Sequence, residues 1–382
     1  MHLAFLTSEY PHPRVTRAAG IATSIKNLVS GLVTHEVSVS LFVYGQKEDA
    51  IFNEDGITFH LIKNRKYKIL GWYLHRKHIE RYVNNQIVAT EIDAIEAPDW
   101  TGITAFMNFK APLVIRFHGS DTYFCKLEGR KQKSKNRFFE KNAVAKASAY
   151  IAPTTYAGVE SAKLFGIPKE RVKIIHYGLN LEHFVNEAPS DFIRYRILNI
   201  GTVIRKKGVF QLAKAFNQIV ERFPQAELVL IGGDASDLKT GASSTWELVE
   251  ESLSKLARKR TSYLGRVPYE TVKDHIKQAH VCAFPSLAET LGMVTIESMA
   301  LKKAVVNTNY GWAQELMDHN ESGFLIDPND IEGYVTAISD LFKDETRTLL
   351  MGELARKKME NTFDIKSILQ QNIAFYTQLI EQ

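Results

Sequence analysis

The chain has 382 residues, 45% of them hydrophobic and 24% charged, with 48 Lys and Arg against 43 Asp and Glu for a formal net charge of +5. That balance excludes a disordered or fibrous chain, and the length suits two domains better than a single core. Two cysteines, Cys125 and Cys282, do not make a disulfide framework and point to a reducing cytoplasm, and no apolar run approaches the roughly 20 residues that span a bilayer.

The opening stretch, Met1 to Tyr10, has no basic flank and too short an apolar core for a signal peptide, so it reads as a first strand. Strands are predicted over Leu3 to Leu6, Val37 to Tyr44, Ile57 to Ile62, Ala94 to Glu96, Leu113 to Phe117, Ala149 to Ala152 and Val172 to Ile175. After a break near Leu181 to Asp191 the pattern restarts with Arg196 to Ile200, Glu227 to Ile231, Ser262 to Leu264, Val281 to Phe284, Ala304 to Asn307 and Gly323 to Ile326. Helical spacing lies between several of these, as at Ile21 to Leu32 and Asn136 to Lys146, and a last helix covers Ile365 to Glu381. Repeated βα alternation predicts an α/β chain of two doubly wound domains, residues 1–185 and 186–360. Ligands of such domains bind at the carboxyl ends of strands.

Charge is unevenly shared. Residues 1–190 hold 25 Lys and Arg against 18 Asp and Glu, a balance of +7, which leaves 23 against 25, or −2, for the rest. The excess gathers at Lys63 to Lys68, at Arg76 and Lys77, and from Lys126 to Lys146. Such runs form a solvated face, or they meet anionic lipid headgroups with help from Trp72, Tyr73 and Leu74. Nucleic acid is not expected, because the runs lack interleaved aromatic platforms and any duplex-reading motif.

The stretch from Phe284 to Ala300 organises the second half. It leaves an apolar run, breaks at Pro285, and resumes from Gly292 with helical spacing at Met293, Ile296 and Ala300. Glu289 and Glu297 stand eight residues apart around the helix amino end, where unpaired N–H groups suit a phosphate. Eight helical residues rise about 12 Å. A glycosidase pair needs roughly 5–9.5 Å, which disfavours hydrolysis. The bland alternative is a capped helix with two solvated glutamates.

This segment resembles the Glu-x7-Glu motif of retaining glycosyltransferases of family 4, which have the GT-B fold of two Rossmann-like domains facing across a cleft. The resemblance implies that Glu289 meets the donor sugar and Glu297 the ribose, with Leu291, Gly292 and Met293 beside the donor. It also implies a C-terminal helix, residues 361–382, packed back on the N-terminal domain. Other loops match in order. Gly20, in the loop from Arg17 to Ser24, permits close approach to a diphosphate, although Ala19 stands where the family usually has a second glycine. His118 follows a strand, where the family keeps a histidine against the donor sugar; by itself it is a structural histidine, a hydrogen-bond donor or a proton shuttle near neutral pH. Asp99 and Trp100 lie in an acceptor-side loop. Lys207 fits the family's lysine, whereas Thr202 replaces its arginine, so Arg205 or Lys206 is expected to substitute on the diphosphate. Tyr263 to Tyr269 resembles the nucleobase loop, around Arg266 and Val267, and Asn309 to Glu315 resembles a Gly-rich loop with Trp312 as a departure.

No His-Glu-x-x-His, Cys-x2-Cys or Asp-x-Asp occurs, so no metal or cofactor is expected. The function implied is transfer of a hexose from a nucleoside diphosphate sugar to a hydroxyl of a glycan or lipid-linked acceptor, with peripheral contact to an anionic membrane through the basic N-terminal half. A sugar-nucleotide epimerase of the same fold and a non-catalytic sugar-nucleotide binder are the alternatives.

Overall fold

A computed structural model describes residues 1–17 and 20–381. The continuous apolar runs of the sequence become strands buried on both faces, as expected where helices cover both sides of a parallel sheet. In the first half these are β1 (His2–Thr7), β2 (Ser38–Gln46), β3 (Ala50–Glu54), β4 (Ile57–Lys63), β5 (Ala94–Pro98), β6 (Leu113–Arg116), β7 (Ala149–Ala152) and β8 (Val172–Ile174). They form one sheet in the order β3-β4-β2-β1-β5-β6-β7-β8, parallel except for β3. The second half contributes β9 (Arg196–Ile200), β10 (Glu227–Ile231), β11 (Thr261–Tyr263), β12 (Val281–Phe284), β13 (Ala304–Thr308) and β14 (Phe324–Ile326), an all-parallel sheet in the order β11-β10-β9-β12-β13-β14.

Contacts divide the chain into two units, one of Met1–Gly178 together with the chain from Ile365 onward, the other of Leu179–Asp364. The first unit buries a cluster on each face of its sheet. One face is covered partly by the helices Gly20–Thr34 and Ile365–Ile380, the latter supplying Ile368, Leu369 and Tyr376. The last helix is fixed by a buried polar clasp. Arg116, at the end of β6, donates two bonds to Glu96 of β5 at 2.7 and 2.9 Å and one to Asn372 at 2.7 Å, and the Tyr376 hydroxyl donates to Glu96 at 2.5 Å. Burial opposes the Arg116 charge, but the Glu96 carboxylate beside it outweighs that and holds its pKa above the ordinary value. In the second unit one cluster lies between the sheet and the helices Val209–Arg222 and Ile331–Lys343, built on Phe216, Ile219, Leu341 and Phe342.

Strand β3 is the element that the apolar pattern does not predict. It is short and mostly exposed, and it pairs antiparallel with β4 from Ala50 opposite Leu61 to Glu54 opposite Ile57. Its turn is Asp55-Gly56, both at positive φ (51° and 76°), the dipeptide that a tight hairpin selects.

Candidate active site

Taking β9 as first, the second sheet runs 3-2-1-4-5-6, so its order reverses between β9 and β12, where doubly wound sheets hold ligands at the carboxyl ends. The two strands pair only through Ile197 with Val281 and Leu198 with Cys282. Beyond that ladder the Asn199 side chain takes over, its Nδ2 donating to the Ala283 carbonyl at 2.7 Å. The loops that leave this point carry the charged groups.

After β9 the chain makes a short 3₁₀ turn, Arg205–Lys207, closed by Gly208 at φ 69°. A Cβ at Gly208 would lie 1.8 Å from the Pro285 carbonyl oxygen, so only glycine lets the two loops touch backbone to backbone. The Leu287 N–H then donates to the Lys206 carbonyl at 2.7 Å. That contact carries Lys207 Nζ onto Glu289 Oε1, an ion pair with both side chains partly exposed. A pair of this kind is worth about 0–1 kcal/mol, so a ligand phosphate or hydroxyl displaces it at little cost.

Glu297 lies in the helix Met293–Ala300, which starts at Gly292 (φ 100°) without a side-chain cap. Its carboxyl is 4% exposed, and burial pushes its pKa up to about 7, against the lowering effect of the Tyr269 hydroxyl, which donates to Oε1 at 2.7 Å, and of Lys273. Leu291 is buried beneath the helix start, whereas Met293 and, in the neighbouring loop, Val267 are half-buried. Trp312 fills its loop as core, edge-on to Tyr310 with ring centroids 5.6 Å apart.

Arg205 is placed differently from Lys207. Its guanidinium forks onto Asp237 at 2.9 and 2.7 Å and lies 4.2 Å over the Phe210 ring. The Arg205 bond holds the Asp237 carboxyl well below the usual range, and Asp237 also accepts from the Thr240 N–H and hydroxyl. Arg205 thus clasps the turn after β9 to the loop after β10. Thr202 is exposed.

In the first unit, order reverses between β1 and β5. Asp99, just after β5, is fully buried; its Oδ1 accepts the His118 N–H at 2.9 Å while its Oδ2 has no partner among the described residues. Burial pushes its pKa up to about 7. Asp99 therefore holds the His118 loop and is too deep to touch an acceptor, which corrects that expectation. Trp100 is half-buried beneath the Arg17 guanidinium, 4.9 Å from its ring. The His118 ring stacks on Tyr177 at 5.4 Å, and its Nδ1 bonds the Tyr177 hydroxyl at 2.6 Å. Burial, helped by the Arg116 charge, pushes His118 down to about 3, which favours the neutral ring near neutral pH. Gly20 starts the helix Gly20–Thr34 and is exposed; Ala19 lies outside the described residues.

Three partners escaped the sequence reading: Tyr269 on Glu297, Tyr177 on His118, and Asp237 on Arg205. Tyr269 lay within a stretch already singled out, and the other two carry no local signal. Among the described residues no group of three or more His, Cys, Asp or Glu side chains converges as a metal site would, and no helix is long and apolar enough to cross a membrane.

Residues 185–358 match the family described as Glycosyl transferases group 1, and residues 18–183 match Glycosyltransferase Family 4. An uncharacterized glycosyltransferase of Methanocaldococcus jannaschii is 24% identical over 395 residues, covering 98% of both chains. The alpha-maltose-1-phosphate synthase of Mycolicibacterium smegmatis is 26% identical over 62% of this chain and 65% of its own. Among solved structures, the sucrose-phosphate synthase of Thermosynechococcus elongatus matches with a TM-score of 0.80 at 18% identity, covering 100% of this chain and 99% of the other. Anabaena HepE in complex with UDP matches with a TM-score of 0.74 at 20% identity, covering 99% and 100%.

Proposed function

The chain belongs to the family 4 type of glycosyltransferases and has the GT-B fold, and from that premise we propose that it moves a hexose, with retention, from a nucleoside diphosphate sugar to a hydroxyl of a glycan or lipid-linked acceptor. The observation that carries this reading is the convergence of Lys207 and Glu289 at the carboxyl ends of β9 and β12, with Glu297 on the helix that follows. Relatives bear on the donor: the HepE structures hold UDP and, in another case, UDP-glucose.

In this reading the second unit binds the donor. Glu297, once ionised, accepts from the ribose hydroxyls and displaces the Tyr269 hydroxyl. The diphosphate draws Lys207 away from Glu289, and the uncapped start of the helix Met293–Ala300 adds N–H groups. Lys207 then balances the charge that grows on the leaving diphosphate as the glycosyl bond breaks, a stabilisation larger in the transition state than in the ground state. Glu289, released, accepts from a sugar hydroxyl. No metal enters this scheme. Arg205 acts by holding the loop and not by contact. Neutral His118, with Tyr177 on Nδ1, offers Nε2–H to an oxygen of the acceptor. The departing phosphate takes the acceptor proton, so no protein nucleophile is assigned. Its setting is the cytoplasm, which the two buried free thiols, Cys125 and Cys282, suit.

The test is a panel of UDP-, GDP- and ADP-sugars scored by heat stabilisation, followed by product analysis with candidate acceptors. One donor should stabilise the protein, its sugar should appear on the acceptor with the donor's anomeric configuration, and Glu289→Ala should abolish transfer in a folded protein. Retained transfer would remove Glu289 from the mechanism, an inverted product would exclude retention, and an altered donor without acceptor would favour an epimerase.

A further inference from the structure

The chain leaving β4 is exposed at every residue from Lys63 to Leu70, with Ile69 at 76% and Leu70 at 57%. Leu70 also sits at φ 50°, a left-handed backbone that disfavours leucine, directly before the helix Gly71–Ala89. The second residue of that helix, Trp72, lies against Phe139 and Phe106 with ring centroids 5.0 and 5.5 Å apart. Phe106, at φ 64°, in turn meets Phe138 at 5.8 Å, and Phe138 is 58% exposed. The rings of two helices and a loop thus make one connected cluster, with Phe139 buried inside it and Trp72 and Phe138 on its surface, and the aliphatic pair Ile69 and Leu70 stands just before Trp72 in the chain. Two of its apolar residues are held in backbone conformations that their side chains disfavour.

The chain segments that carry this surface are cationic. Lys66, Lys68, Lys131, Lys133 and Arg137 are exposed and form no ion pair among the described residues. The neighbouring carboxylates are occupied: Asp121 and Glu128 by Arg130, Asp49 by Arg65, and Glu140 by the N–H groups of Asp121 and Thr122 beneath the surface.

We propose that this face of the first unit docks on an anionic lipid bilayer, with the rings and Ile69-Leu70 at headgroup depth and the lysines on lipid phosphates. The complementarity is of both kinds, apolar cluster to acyl boundary and cationic segments to negative surface. Single-stranded nucleic acid fits less well, because the most exposed apolar residue of the face, Ile69 at 76%, and its neighbour Leu70 are aliphatic and offer bases no ring to stack on. A second copy would bring two sets of cationic segments together. The face lies at the carboxyl end of β4 and β5, the sheet edge that also carries the His118 loop, so docking would present a lipid-borne hydroxyl on the acceptor side. This inference rests on none of the donor-site residues.

Sedimentation of the full chain with vesicles tests it. The protein should pellet with phosphatidylcholine vesicles containing about 30% phosphatidylserine and not with pure phosphatidylcholine, and added salt should weaken binding. Joint Lys131→Glu, Lys133→Glu and Arg137→Glu should lower the partition at least about tenfold, as should joint Leu70→Gly and Phe138→Ser. Because glycine relieves the positive φ, Leu70→Gly should not lower the melting temperature, which separates lost docking from lost fold. Nucleoside diphosphate binding should be unchanged in both variants. Equal binding to neutral and anionic vesicles, no binding to either, or variants that pellet like wild type would overturn the proposal. A lipid-free dimer dissolved by Phe138→Ser, or vesicle displacement by single-stranded DNA, would give the face another occupant and overturn it as well.

Discussion

Burial raises the Glu297 carboxyl to about 7, which brings its titration into the neutral range. A raised carboxyl pKa adds stability that is complete below the unfolded value and is lost as pH rises through about 7; a ligand that needs the carboxylate gains over the same window. Nucleoside diphosphate affinity measured by calorimetry should therefore tighten as pH climbs through about 7, and Glu297→Gln should flatten that dependence. Asp99 follows the same sign without touching a ligand. Asp99→Asn keeps the oxygen that accepts the His118 N–H, so wild type should lose stability relative to the variant by about 1.4 kcal/mol per pH unit between the ordinary carboxylate range and about 7, read from melting curves. A difference that does not change with pH would mean that Asp99 is solvated. Residue types and spacing singled out Glu289, Lys207 and Glu297, but not the groups that hold them. Tyr269 reaches Glu297 from a different helix, and Asp237 reaches Arg205 across the loops after β9 and β10, contacts that exist only once the sheet order has set strand neighbours.

At the scale of elements, the approach of the loops after β9 and β12 depends on Gly208. Gly208→Ala places a methyl on the Pro285 carbonyl in a left-handed backbone, so it should cost about 1–3 kcal/mol in stability and weaken donor binding together. Unchanged binding would show that Lys207 reaches Glu289 without that loop contact. Most strands were legible because parallel strands buried on both faces read as unbroken apolar runs, as in Val281 to Phe284. The miss was β3, where Ile51 is 61% exposed and an edge position relaxes the need for apolar residues; Asp55-Gly56 was the available signal and lay between two strand-forming segments. Trp312 marks a limit of another kind. It departs from the resembled loop because here the loop is held by a buried indole.

For the whole molecule, the return of the last helix to the first unit hangs on Arg116, a charge buried with Glu96, Asn372 and Tyr376. Arg116→Leu leaves Glu96 buried without its partner and should cost about 3–5 kcal/mol, seen as a lower first transition in denaturant; a loss below about 1 kcal/mol would mean that packing by Ile368 and Leu369 suffices. Binding of a nucleoside diphosphate by the second unit through Lys207 is the step on which donor use depends. Calorimetric titration of wild type and Lys207→Ala with the diphosphate of the stabilising donor tests this most directly. Loss of one charged hydrogen bond, about 1.5–3 kcal/mol, predicts binding weaker by tenfold or more in the variant. Equal affinity for the two proteins would contradict the site.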